Sequence, residues 1–193
     1  MFIIQTIILG LCLGFVYALM ATGLTLIFGV MRIVNLAHPI FILVGAFAAY
    51  YLFVLYGIDP IIAIPLCAAV TALLGAITYK LVFEKDAGAQ TYSEMTVLLT
   101  FGTAMVLDGT LSYFFKNTQR ITSPPYATDA IFLGELFLPT AQLYSGLISV
   151  GLIIALGLFL KFSKLGIAIR ATSLSRVNAE LVGIDVKFVC LFS

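Results

Sequence analysis

The sequence is short of charge. Only 10% of its 193 residues are charged, 62% are hydrophobic, and the first charged side chain is Arg32. Soluble domains carry about 25% charged and about 45–50% apolar residues. This composition therefore excludes a soluble monomer and places the core in lipid. The N-terminus lacks a basic start and a small-residue cleavage site, which argues against a removable secretory signal. The net charge is +1, a balance that gives nucleic acid no electrostatic reason to bind.

Reactive groups are scarcer still. His38 is the only histidine, so histidine-based acid–base chemistry has one candidate, in a membrane-like context. Cys12, Cys67 and Cys190 sit in apolar runs without metal-like spacing and read as buried small hydrophobes, with no redox or zinc role. No Gly-Lys pair occurs, so the GxxxxGK[ST] phosphate loop is absent. Any ATP must be bound by another chain, and no cofactor of this chain's own is expected. Nothing resembles a nucleophile elbow or a catalytic triad, and the chain reads as a non-enzyme.

What the chain has is long apolar runs. A membrane helix needs about 20 apolar residues, and residues 3–31, 38–57, 60–80, 95–115 and 141–160 qualify. A sixth run starts at Phe188, just before the last residue, Ser193. A membrane domain rarely stops so soon after entering a span, so the chain is expected to be the N-terminal part of a longer protein. The predicted fold is all-α: one polytopic helical bundle over residues 1–193, with five to six spans and a short cytoplasmic helix.

Lysine and arginine give the orientation. With alternating spans, one side holds Arg32, Lys80, Lys85, Lys161, Lys164, Arg170, Arg176 and Lys187, and the other only Lys116 and Arg120. The first side is then cytoplasmic and the N-terminus outside. The first run is the weak point. Its 29 residues would reach about 43 Å across a core of roughly 30 Å. It must tilt, or break near Gly23 or Gly29; a double crossing, or none, would put the N-terminus inside. Tyr50, Tyr51, Tyr56, Tyr113 and Tyr144 fall near outer ends, and Tyr79 and Tyr92 near inner ends, as interfacial aromatics do.

Small residues recur every four positions at Gly10, Gly14, Ala18 and Thr22, and again at Ala68, Ala72 and Ala76. Such ridges let another backbone approach closely, within the chain or across a dimer. In the outer loop, residues 116–140, Gly134-Glu135 between two apolar triplets suits a two-residue hairpin. That loop either lies on the membrane surface or caps an external partner.

Three features carry polar groups where lipid is expected. The stretch VNLAHPIF sets Asn35, His38 and Pro39 between apolar runs. It reads either as a break between helices with capping side chains or as a segment that lines or gates a path. Asp108 is the one acid well inside a span. Burying it ionised costs a few kcal/mol, so it should bond nearby Thr, Ser or backbone, or serve a substrate path. Residues 161–187 are too charged to span and too apolar for a free linker. Ser173 or Ser175 can cap a short helix there, with Val177 and Leu181 on one side and Gly183 ending it in a left-handed turn. Its apolar face would enter a groove of a cytoplasmic protein or lie on lipid.

The run GLCLGFVYALMATGLTLIFGVMRIVNLAHPIFILVGAF resembles the opening of the branched-chain amino acid permeases of prokaryotic ABC importers, of the H type. In that family a GLTLIFGV-like run precedes N-x-A-H-G and a small-residue GA(Y/F). Asn35, Ala37 and His38 match, Gly45-Ala46-Phe47 follow, and Pro39 replaces the usual glycine. LLTFGTAMVLDG resembles a later span, and LGIAIRATSLSRVNAELVGIDV resembles the cytoplasmic coupling segment. The resemblance implies a multi-pass permease subunit in the cytoplasmic membrane. It would work with a second permease, two cytoplasmic ATPases that bind the ATP, and an extracytoplasmic binding protein. It implies Asn35 and His38 as path or gating candidates, beside Asp108, which its place inside a span makes one. Arg170, Ala171, Arg176, Ala179, Glu180 and Gly183 become coupling candidates toward an ATPase. Urea and short-amide permeases share these motifs, and a truncated protein inactive by itself is a further alternative.

Overall fold

Where no helix breaker interrupts an apolar run, the backbone satisfies its own polar groups as helix, the one open-ended way to do so in lipid. The computed structural model describes residues 2–32, 34–83, 92–116, 118–133 and 136–192. Five helices are long and apolar enough to cross a membrane: α1 (Phe2–Met31), α2 (His38–Tyr56), α3 (Pro60–Thr78), α4 (Tyr92–Phe115) and α5 (Thr140–Phe162). They match the five expected spans. Lys85, assigned above to the cytoplasmic side, lies outside the described residues. Three shorter helices follow, α6 (Lys164–Leu174), α7 (Arg176–Leu181) and α8 (Val186–Phe192). A small β-hairpin before α5 is the one departure from all-α structure among the described residues.

The long first run is one continuous 30-residue helix. It breaks at neither Gly23 nor Gly29, which leaves no turn for a second crossing. The α2–α3 turn follows directly from its residues Gly57-Ile58-Asp59-Pro60. Gly57 takes φ 66° and its N–H bonds the Phe53 carbonyl at 2.9 Å, a left-handed cap that only glycine adopts at little cost. Asp59 Oδ1 then accepts the Ile61 N–H at 2.8 Å, and Pro60 opens α3 at the position where its missing N–H costs nothing. A π-helical turn, Tyr79–Phe83, extends α3.

The contacts divide the chain into two compact units, one of residues 1–26 and 123–170, the other of 27–122 and 171–193. In the first, α1 and α5 run parallel. The Phe137 N–H approaches Gln5 Oε1 at 3.5 Å near the start of both helices. Further along, Gly146 packs on Cys12 so closely that a Cβ on Gly146 would stand 2.9 Å from that of Cys12. Parallel α1 and α5 agree with three alternating crossings between them. The expected ridge of Gly10 and Gly14 is not used in this packing: a Cβ at either would meet nothing within 4 Å. The close approach is made from α5 instead, where Gly146 faces Cys12.

In the second unit, α2 and α3 pack as an antiparallel pair, with Gly45 against Thr71 Cγ2. At the outer end, Phe47 stacks on Phe115 with ring centroids 4.7 Å apart, and Arg120 lies 5.4 Å over the Tyr50 ring and 5.5 Å over Tyr51. Tyr79, expected near an inner end, opens the π turn at the end of α3 and is buried at 8% exposure. The most deeply buried large side chains are Val30, Thr100, Thr172 and Val189. The core of this unit thus sits around the connection from α1 to α2.

Candidate functional site

That connection is the stretch containing the lone histidine. Arg32 ends α1 with φ 58° while its N–H still bonds the Phe28 carbonyl at 2.9 Å. A left-handed arginine is strained and persists only where the surroundings hold it. What holds it is a tertiary bond: Arg32 Nη2 donates to the Ser173 carbonyl at 3.1 Å. Gly29, one turn earlier, also faces Ser173, at a spacing where an added Cβ would lie 3.7 Å from the serine Cβ.

Asn35 then builds the turn. Its Oδ1 accepts the Ala37 N–H at 3.0 Å, and its carbonyl accepts the His38 N–H at 3.2 Å, the pattern by which asparagine imitates a backbone turn. His38 is the first residue of α2 and Pro39 the second, where a fixed φ and a missing N–H suit a helix start. The proline that departs from the family's glycine thus sits in the first turn of α2. Thr100 of α4 closes over the turn, donating to Val97 O at 2.9 Å and reaching Val34 O at 3.4 Å. Thr100 is fully buried.

Beside this turn lies a cavity of about 690 Å³, within the range typical of small-molecule sites. Asn35 and His38 line it, with Met31 from α1, Thr71 and Tyr79 from α3 and the π turn, and Cys190 from α8. The second small-residue ridge, Ala68, Ala72 and Ala76, forms part of its wall. The wall is chiefly apolar, with a few hydroxyl, amide and imidazole groups among its lining residues. Among the described residues no group of His, Cys, Asp or Glu could hold a metal ion.

The stretch from Lys164 to Lys187 folds much as its residues indicate. Ser175 caps α7, its hydroxyl accepting the Asn178 N–H at 3.3 Å. Gly183 ends it with φ 83°, its N–H bonding Glu180 O, while the Ile184 N–H bonds Ala179 O. Leu174, Val177 and Leu181 are exposed at 83%, 66% and 79%. Glu180 and Arg170 are also exposed, and Ala171 is half-buried. Two of the coupling candidates turn the other way. Ala179 is buried, and Arg176 Nη2 donates to Cys190 Sγ at 3.1 Å. Arg176 Nε is buried without a hydrogen-bond partner among the described residues.

Asp108 stands apart from this arrangement. It lies on an exposed face of α4, does not line the cavity, and makes no hydrogen bond among the described residues. The bond to nearby Thr, Ser or backbone expected from the sequence is not formed there. Arg32, Tyr79, Thr100 and Ser173 were not among the site residues the sequence suggested. Arg32 had a signal, as the first charge after an uncharged helix. Ser173 takes part through its backbone carbonyl, which no side-chain pattern reveals.

Comparison with known proteins gives this arrangement a context. The family described as "Branched-chain amino acid transport system / permease component" matches residues 6–193. Among curated proteins, the probable branched-chain amino acid transport permease protein LivH of Methanocaldococcus jannaschii is 29% identical over 187 residues, covering 91% of this chain and 56% of that protein. The high-affinity branched-chain amino acid transport system permease proteins LivH of Salmonella typhimurium and Escherichia coli K12 are 22% and 23% identical over 200 residues, covering 96% of this chain and 63% of each. The chain therefore spans 56–63% of the length of these relatives. No solved structure matches it at a significant level.

Proposed function

Because this chain belongs to the permease-component family of branched-chain amino acid transport systems, we propose that it is a membrane-spanning permease subunit of an ABC importer that carries branched-chain amino acids across the cytoplasmic membrane of a prokaryote. In this reading Asn35 and His38 face the transported solute from the cavity wall. The chiefly apolar lining suits the side chain of leucine, isoleucine or valine better than it suits urea or a short amide.

The observation that carries the reading is the linkage of α7 to that wall. Its exposed face, with Val177 and Leu181, has the character of a helix that lies in a groove of a partner protein. Its first residue, Arg176, holds Cys190 on the cavity wall, and Arg32 holds the preceding Ser173. ATP-driven movement of an ATPase bound at α7 would thus pull on the cavity and on the Asn35–His38 turn. The sequence lacks a phosphate loop of its own, which fits ATP bound by two separate cytoplasmic ATPase subunits. A second permease would find a close-approach surface along Gly10, Gly14 and Ala18, which are exposed, and an extracytoplasmic binding protein would deliver the amino acid. A helix face that carries exposed Asp108 needs a polar surrounding in the membrane, and the rest of the assembly would provide it.

The test is co-purification of the full-length protein with its ATPase subunit, together with ATP-dependent leucine uptake in proteoliposomes. Altering residues 165–183 should abolish ATPase association and uptake. Retained ATPase binding in that variant would overturn the coupling role. Uptake that survives ATP depletion but collapses with the proton gradient would replace the ABC reading by secondary transport.

A further inference from the structure

We propose that the hairpin before α5 is a membrane-interface anchor, with Phe132 and Phe137 seated in the lipid headgroup layer beside the start of α5. Strands β1 (Ala130–Leu133) and β2 (Leu136–Pro139) pair antiparallel, with Phe132 opposite Phe137 and Leu133 opposite Leu136. The Gly134-Glu135 turn expected between them lies outside the described residues. Residues directly opposite on two strands share one face. The rings of Phe132 and Phe137 meet there at 5.6 Å, and the residues are 71% and 46% exposed. Ile131 is 45% exposed, while its opposite number Leu138 is buried at 5%. On the other face Leu138 is thus packed down, and the Phe132–Phe137 face is left outward.

The hairpin's position is tied to the membrane. Strand β2 runs without a linker into α5, a 23-residue span that at about 1.5 Å per residue covers the hydrocarbon core once. Thr140, the first residue of α5, anchors the base: its hydroxyl bonds the carbonyls of Tyr126 and Asp129, and its N–H bonds Asp129 O at 3.2 Å. Phe137 stands three residues from Thr140. Even a strand rising straight from the membrane would place it only about 10 Å above the start of the span. One turn into the helix, Tyr144 meets Tyr126 edge-on at 5.6 Å, an aromatic pair at the level where interfacial rings collect.

The exposed apolar surface of the hairpin is therefore continuous with that of a membrane-spanning helix. The described strand residues, AIFL and LFLP, offer no polar side chain to a protein partner. A protein interface needs a polar rim with directional hydrogen bonds. Lipid needs only apolar area, and amphipathic headgroup contact tolerates the hairpin's free backbone edge.

The chain has no tryptophan, so a reporter can be read by difference against the unsubstituted permease. Phe132→Trp and Phe137→Trp are placed singly in the permease and incorporated into phosphatidylcholine vesicles with brominated acyl chains. Leu147→Trp, on the exposed face of α5, serves as the lipid-facing reference. Both hairpin reporters should lose most of their emission to the brominated lipid, as the reference does, and should resist aqueous iodide. Quenching by iodide without quenching by brominated lipid overturns the proposal. So does protection from iodide that appears only when the extracytoplasmic binding protein is added, since the hairpin would then be a protein-docking cap. Should either variant fail to assemble, the other reads the same surface, because the two rings touch.

Discussion

Arg176 and Cys190 are 14 residues apart in sequence and 3.1 Å apart through Nη2 and Sγ. The pair ties the start of α7 to the wall of the cavity that Asn35 and His38 line. A sulfur is a weak acceptor, so the pair works chiefly by position, holding two segments in register. Arg176→Met should keep the side-chain volume and the fold while loosening that link. The expected result is normal ATPase association with reduced leucine uptake, compared side by side by co-purification and by proteoliposome transport. Loss of both together would show that Arg176 serves docking rather than transmission.

Substitutions on the exposed side of α7 should act in the opposite way. Val177→Asp and Leu181→Asp place a charge on residues that are 66% and 79% exposed, so the isolated permease should keep its stability within about 0.5 kcal/mol. Binding of the ATPase should weaken by at least about tenfold if the face enters an apolar groove, since desolvating an unpaired carboxylate costs more than about 1.4 kcal/mol. Titration of the ATPase onto the permease in nanodiscs measures this directly.

His38→Ala separates a turn-forming role from a role in the path. The turn itself is built by Asn35 Oδ1 and backbone groups, so the variant should fold. Uptake should fall several-fold, within the about 1–3 kcal/mol usual for coupling between sites. Unchanged uptake would leave His38 with a structural role alone. Asn35→Ala removes the Oδ1 acceptor as well, and should lower stability by about 1 kcal/mol, read as an earlier thermal transition in detergent.

Gly146→Leu should disrupt the packing of α5 on α1, because even a Cβ there would stand 2.9 Å from the Cβ and 3.0 Å from the backbone Cα of Cys12. Overpacking of this kind costs about 1–3 kcal/mol, visible as a lowered midpoint in mild-detergent unfolding. Gly10→Leu is the matched control: its site is open, and subunit stability should be unchanged. Reduced recovery of the second permease with the Gly10→Leu variant would mark that face as the inter-subunit contact.

The sequence alone determined the spans, the short helix capped by Ser175 and the family. The spans are legible because lipid forces the backbone to bond to itself, so length and hydrophobicity suffice. The caps at Ser175 and Gly183 and the turn at Gly57–Pro60 are legible because their chemistry is local. The motif at Asn35, Ala37 and His38 pointed to the site region without giving its shape.

What only the tertiary structure decided are the relationships between residues distant in sequence. These include Arg32 on the Ser173 carbonyl, Thr100 over the Asn35 turn, Arg176 turned onto Cys190, and Gly146 rather than Gly10 as the point of closest helix approach. Each depends on which face of one helix meets another. In a chain that is 62% hydrophobic, nearly every helix is apolar all round, so no amphipathic stripe records its orientation. The rotation of each helix is set by shape and by a few hydrogen bonds, and those exist only once the helices are side by side.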